Sequence, residues 1–274
     1  SFASFRTPVT YTDMFFGEWN QDKTKYFMEN THLPISIMVT AAYLMMVRFG
    51  PKFMEHRKAF DLRSSLTAWN MALFAYSALS LVILVPHLMK TMYKGGVIRT
   101  ICNTDDLYTN PISGFYGWLF CMSKGPELID TVYLILRKRP VIFMHWYHHS
   151  VTFLFGQIFY TSFVPWARWG VIINLGVHTV IYYALRAWGV KTDRWVSKLI
   201  TCTQSLSLQI TQFASMFYFA GVLMNEYSTK GLHDCDLMLD KMGLGFVIVC
   251  SYLYLFCQYF HNTYIQNNSL TRPK

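Results

Sequence analysis

Apolar residues in this chain come in long blocks, set apart by short polar connections. Seven blocks reach or approach the ~20 residues that cross a bilayer as a helix: 33–49, 67–88, 114–136, 141–160, 164–187, 196–222 and 243–264. Only Arg137-Lys138-Arg139-Pro140 joins the third block to the fourth, and only Thr161 to Pro165 joins the fourth to the fifth. Connections that short make these blocks antiparallel neighbours. The pattern predicts an all-α integral membrane protein with seven transmembrane helices, forming one domain over 1–274. A polar and aromatic segment, 1–31, precedes the first span, and a tail, 265–274, follows the last. Residues 1–30 lack the apolar core of a signal peptide.

Polar residues inside the blocks fall in stripes. The fourth block carries His145, His148 and His149 within His145-Trp146-Tyr147-His148-His149. Positions i, i+3 and i+4 share one face of a helix, so the three imidazoles point one way. The third block holds Lys124, Glu127 and Asp130 at steps of three, with Pro126 between them as an expected kink. A structural ion pair between Lys124 and Glu127 accounts for that stripe as well as a lined site does. The fifth block aligns Asn174, His178 and Tyr182, and the sixth carries Gln209 and Gln212. Glutamines in spans also serve as interhelical glue. Blocks one, two and seven show no comparable stripe. Ionisable groups at membrane depth are costly and mark functional sites, so four adjoining spans are expected to enclose a polar chamber.

Composition agrees with a membrane setting: 53% of residues are hydrophobic and 14% charged, against about 25% charged in soluble domains. The net charge of +9 raises nucleic acid as a partner, but its distribution speaks for a membrane surface. The connections after spans one, three and five and the C-terminus carry fourteen Lys and Arg, the opposite side nine. The positive-inside rule then puts the N-terminus in a lumen and the C-terminus in the cytosol. Among six cysteines only Cys102 and Cys235 fall in luminal loops, where a disulfide between them is permitted. The sequon Asn267-Asn268-Ser269 lies on the cytosolic tail and is expected to stay unmodified.

Several chemistries compete for the histidines. Membrane oxygenases and desaturases hold two irons with about eight histidines in several boxes. Here only His145, His148, His149 and His178 can converge at depth among the nine present. That is too few for a di-iron centre, while a single zinc stays open. Ser150 adjoins the box without a G-x-S-x-G elbow. Cys121 lies one turn before Lys124 with apolar neighbours on either side. A lipid transporter with a polar path is a further alternative. An imidazole acting as nucleophile or general base also fits: its ordinary pKa of about 6.5 leaves it neutral at cytosolic pH, and a dry chamber protects a labile acyl-imidazole.

Taken in order, these motifs resemble the ELO family of very-long-chain fatty acid elongases, the membrane 3-ketoacyl-CoA synthases. K-x-x-E-x-x-D-T is present as Lys124, Glu127, Asp130 and Thr131, and H-x-x-H-H as His145, His148 and His149. H-x-x-M-Y is present as His178 to Tyr182 with Ile181 in place of Met, and T-x-x-Q-x-x-Q as Gln209 and Gln212 with Leu206 in place of Thr. Trp146 inside the box resembles the branch that elongates saturated and monounsaturated chains. The resemblance runs over roughly 31–264. It implies that spans two to seven form a six-helix ring around a substrate tunnel. It implies a decarboxylative condensation of long-chain acyl-CoA with malonyl-CoA, without metal or redox cofactor. His148 would be the acyl acceptor, His178 would assist malonyl binding or decarboxylation, and His145 and His149 would orient His148 or polarise carbonyls. Lys124, Glu127, Asp130, Asn174, Tyr182, Gln209 and Gln212 would bind the thioester and the CoA arm, and Arg137 and Lys138 would meet CoA phosphates. It further implies the endoplasmic reticulum membrane, a homodimer, and the reductase, dehydratase and enoyl reductase of an elongation cycle as partners.

Overall fold

Inside a bilayer every backbone polar group must be paired within the protein, which favours helices. The computed structural model describes residues 8–179 and 238–266, together with 217–218, 220–221 and 224–225. The described residues are helical and contain no strand. In chain order the helices are α1 (Tyr11–Phe16), α2 (Gln21–Phe27), α3 (Leu33–Phe53), α4 (Arg63–Cys102), α5 (Pro111–Glu127), α6 (Ile129–Leu136), α7 (Phe143–Thr161), α8 (Ala167–Val177) and α9 (Leu239–Phe260). A π-helical turn, Met28–His32, joins α2 to α3 without a break, and another, His261–Gln266, ends α9.

Among the described residues three helical stretches are long and apolar enough to span a membrane: Gln21–Phe53, Arg63–Cys102 and Asp240–Thr263. They correspond to the first, second and seventh apolar blocks. α7 has the length of a span, but the histidine box and Gln157 lower its hydropathy. α8 begins the fifth block, and most of the sixth lies outside the described residues. The outer face of α3 exposes Ile37, Met38, Met45, Phe49 and Phe53, a face suited to lipid rather than water.

Several boundaries differ from the apolar blocks, each for a local reason. α4 runs on to Cys102, well past the expected end near 88, and bends at Gly95 and Gly96, where Gly96 has φ +70°. That left-handed angle favours glycine. The third block is two helices. Pro126 lacks an N–H, and Leu128 N–H bonds back to Gly125 O at 3.0 Å and to Pro126 O, so the block divides into α5 and α6 at Leu128. α6 closes in a Schellman turn: Arg139 N–H reaches Leu134 O at 2.8 Å and Lys138 N–H reaches Ile135 O at 3.0 Å, with Lys138 at φ +53°. Pro140 follows, and α7 returns at once.

The segment ahead of the first span is also ordered. Thr10 and Asp13 cap α1 reciprocally, with Thr10 N–H to Asp13 Oδ2 at 2.8 Å. Met14, Phe27 and Met28 then pack with Trp118, Met122 and Tyr160, forming a cluster against α5 and α7. α7 is central to the packing: α3, α5 and α9 all lie against it, and α8 lies along α4.

Candidate active site

The histidine box occupies the first two turns of α7. One helical face does hold all three rings: His145 and His149 have ring centroids 4.4 Å apart, and His148 and His149 5.5 Å apart. His148 faces an apolar cavity of about 220 Å³ lined by residues of α4, α5, α7, α8 and α9. Tyr252 of α9 closes one side, its ring 4.9 Å from that of His148. The Tyr252 hydroxyl lies 3.0 Å from Thr152 Oγ1 and 3.4 Å from the His148 carbonyl oxygen. Asn174 lines the same cavity.

Lys124 and Glu127 form a buried ion pair, Nζ to Oε1 2.7 Å. Lys124 Nζ also donates to Asn174 Oδ1 at 3.0 Å. Since that oxygen accepts from an ammonium, the amide NH2 of Asn174 is the end left to donate. The pair is therefore structural and site-forming together: α5 and α8 are tied at the cavity wall, and opposite charges at contact distance limit the cost of burial. His178 lies at the end of α8, within electrostatic reach of both Lys124 and Glu127.

Asp130 has a different setting from the other two charges of its stripe. On α6, Asp130 Oδ1 accepts from Trp69 Nε1 of α4 at 2.8 Å. Lys138 is tied to the 54–60 connection, where its ammonium donates to the Glu55 carbonyl at 2.8 Å. Arg137 follows α6 in the same turn. Ser150 donates to Trp146 O at 2.8 Å and Cys121 to Gly156 O at 3.5 Å, so each meets a backbone carbonyl rather than an imidazole. Cys102 is disulfide-bonded. Cys235, Tyr182, Gln209 and Gln212 lie outside the described residues. Among the described residues no three His, Cys, Asp or Glu side chains are grouped to hold a metal ion.

Periodicity left out some of the site. Blocks one, two and seven show no polar stripe comparable to the others, yet Tyr43 of α3, Trp69 of α4 and Tyr252 of α9 each direct a polar atom at the site or its supports. The available signal was a Tyr or Trp deep in an apolar helix, whose O–H or N–H needs a partner when buried.

Residues 27–272 match the ELO, or GNS1/SUR4, family. The chain is 39% identical to long chain fatty acid elongase 2 of Caenorhabditis elegans, over 96% of this chain and 95% of that one. It is 34% identical to very long chain fatty acid elongase 3 of Homo sapiens, over 94% and 92% of the two chains. Very long chain fatty acid elongase 6 of Drosophila melanogaster is 33% identical, over 81% and 70%. With a family match spanning most of its length and relatives of this identity across nearly whole chains, the protein belongs to the ELO (GNS1/SUR4) family.

Proposed function

We propose that the protein is the condensing enzyme of fatty acid elongation, joining a long-chain acyl-CoA to malonyl-CoA in the endoplasmic reticulum membrane. The observation that carries this reading is the cavity: one imidazole of the box, His148, opens onto an apolar chamber beside an amide donor, Asn174. An acyl chain fits apolar walls, and a neutral imidazole is a competent acyl acceptor. The elongase names of the relatives agree with it.

In the first half-reaction a His148 nitrogen attacks the thioester carbonyl. The C–S bond breaks, CoA leaves as the thiol with the imidazole proton, and an acyl-imidazole remains. In the second, malonyl-CoA loses carbon dioxide, and the electron pair released attacks the acyl carbon. The C–N bond breaks, His148 takes back a proton, and 3-oxoacyl-CoA departs. Asn174 is suited to hold the carbonyl oxygen as it gains charge, with His178 assisting the malonyl group and His145 and His149 orienting His148. Arg137 remains a candidate for the CoA phosphates. Lys138 is a weaker one, because its ammonium already serves Glu55. The reaction uses no metal or redox cofactor. We further propose seven spans with the N-terminus luminal, spans two to seven as a ring around the tunnel, Tyr182, Gln209 and Gln212 completing the lining, and Cys102 paired with Cys235.

Intact-mass spectrometry after incubation with acyl-CoA alone tests the chemistry. The expected result is a gain of one acyl group, discharged by malonyl-CoA and absent from His148→Ala. A wild-type protein that never acylates overturns the covalent step.

A further inference from the structure

Behind the histidine box a second line of hydrogen bonds crosses three helices. Thr131 Oγ1 lies 2.9 Å from His145 Nε2 and 2.8 Å from the Tyr43 hydroxyl. Thr131 is fully buried and Tyr43 4% exposed, packed with Leu128, Phe153 and Trp146. Tyr43 comes from α3, the one span that the expected ring of spans two to seven leaves outside.

The proton order along this line follows from what each group can offer. A phenol has one proton to give. Among the described residues Thr131 is the only hydrogen-bond partner of the Tyr43 hydroxyl. Were Tyr43 to accept, its own proton would stay unbonded in an apolar setting, at a cost of roughly 1–3 kcal/mol. Tyr43 therefore donates to Thr131. Thr131 Oγ1 has no other hydrogen-bond partner among the described residues, so its own proton goes to His145 Nε2. That nitrogen must then be an acceptor, and the ring proton sits on Nδ1.

We propose that Tyr43 is a positioning residue: through Thr131 it fixes His145 as the Nδ1–H tautomer, so that the Nδ1 side of His145 within the box can only donate. A span peripheral to the chamber thereby sets the hydrogen-bonding character of the box. The use of this tautomer in catalysis rests on the condensation reading, whereas the tautomer itself does not.

Two measurements separate the parts. Side-chain 15N spectra of histidine-labelled protein read the tautomer directly. The expected result is His145 with a protonated Nδ1 in the wild type and a mixture of tautomers in Tyr43→Phe. A wild-type His145 protonated on Nε2 overturns the relay. Steady-state condensation kinetics then read its use. Tyr43→Phe and Thr131→Val each lower kcat about tenfold, as lost supporting bonds do at other sites, with KM for acyl-CoA unchanged. The double variant falls no further, since both break one chain. Thr131→Ser, which keeps the hydroxyl, recovers the loss seen in Thr131→Val. Multiplying losses, or a Tyr43→Phe enzyme with wild-type kcat, overturns the positioning role. If the spectra are as expected but His148 never acylates, the condensation chemistry falls and the relay stands.

Discussion

Asp105 sits just beyond α4, where Arg99 holds its carboxylate with Nη2 at 2.6 Å and Nε at 3.1 Å. That hydrogen-bonded pairing keeps the Asp105 carboxyl below the usual carboxylate range. A lowered folded value means stability that is present above the unfolded pKa of about 3.9 and is lost as pH falls through the folded one. Asp105→Asn should melt about 2 °C lower near neutral pH. The gap should persist to about pH 4 and vanish below the lowered value, as thermal scans across pH will read. At this scale the sequence was informative where spacing decides the outcome. His145, His148 and His149 share a face because the helical period requires it. Partners across helices are another matter: Tyr43 and Thr131 stand eighty-eight positions apart, and no periodicity relates them. Asp130 shows the converse: its spacing placed it in a stripe with Lys124 and Glu127, yet a stripe of threes drifts about 120° over six residues of a helix, and its carboxylate meets Trp69.

Elements were legible as apolar blocks and blurred at their ends. Pro126 announced the division of α5 from α6, because a missing N–H and a ring clash act locally. The extension of α4 beyond its apolar block was hidden, since residues 89–102 mix charges with glycines and read as a connection. α1 and α2 were hidden for a related reason: their order derives from a cluster with α5 and α7, not from any span-length run. Gly114 tests that cluster. A Cβ at this position would sit 2.6 Å from three atoms of the Trp19 ring, and Trp19 Nε1 donates to Tyr108 O at 2.9 Å. Gly114→Ala should force the indole aside, cost roughly 1–3 kcal/mol, and render the segment before α3 more susceptible to limited proteolysis. Unchanged melting and protease resistance would show that this contact does not hold the segment down.

For the whole molecule, the cavity is the property that no single element carries. Its described walls come from five helices, and glycines at 156 and 170 line it with nothing among the described residues within 4 Å of an added Cβ. Leu placed at either position has room to grow into the chamber. With a mixed pool of acyl-CoA substrates, Gly156→Leu and Gly170→Leu should shift products toward shorter chains, as gas chromatography of the released acids will show. An unshifted product profile would mean that the chain lies elsewhere. Arg168, at the start of α8 and on the cavity wall, has a consequence for how the molecule is made. Its buried guanidinium donates to Thr91 Oγ1 and to the carbonyls of Asn103 and Thr104. These three acceptors are synthesised more than sixty residues before Arg168 itself, and only the Pro165 carbonyl, a fourth, lies close by in sequence. Domains mature from the N-terminus during translation, so the acceptors can be waiting when the charge arrives. A ribosome-bound intermediate that ends just after α8 should therefore already hold α4 and α8 together, whereas a circular permutant that begins at α8 would present a bare arginine to the membrane until α4 was made.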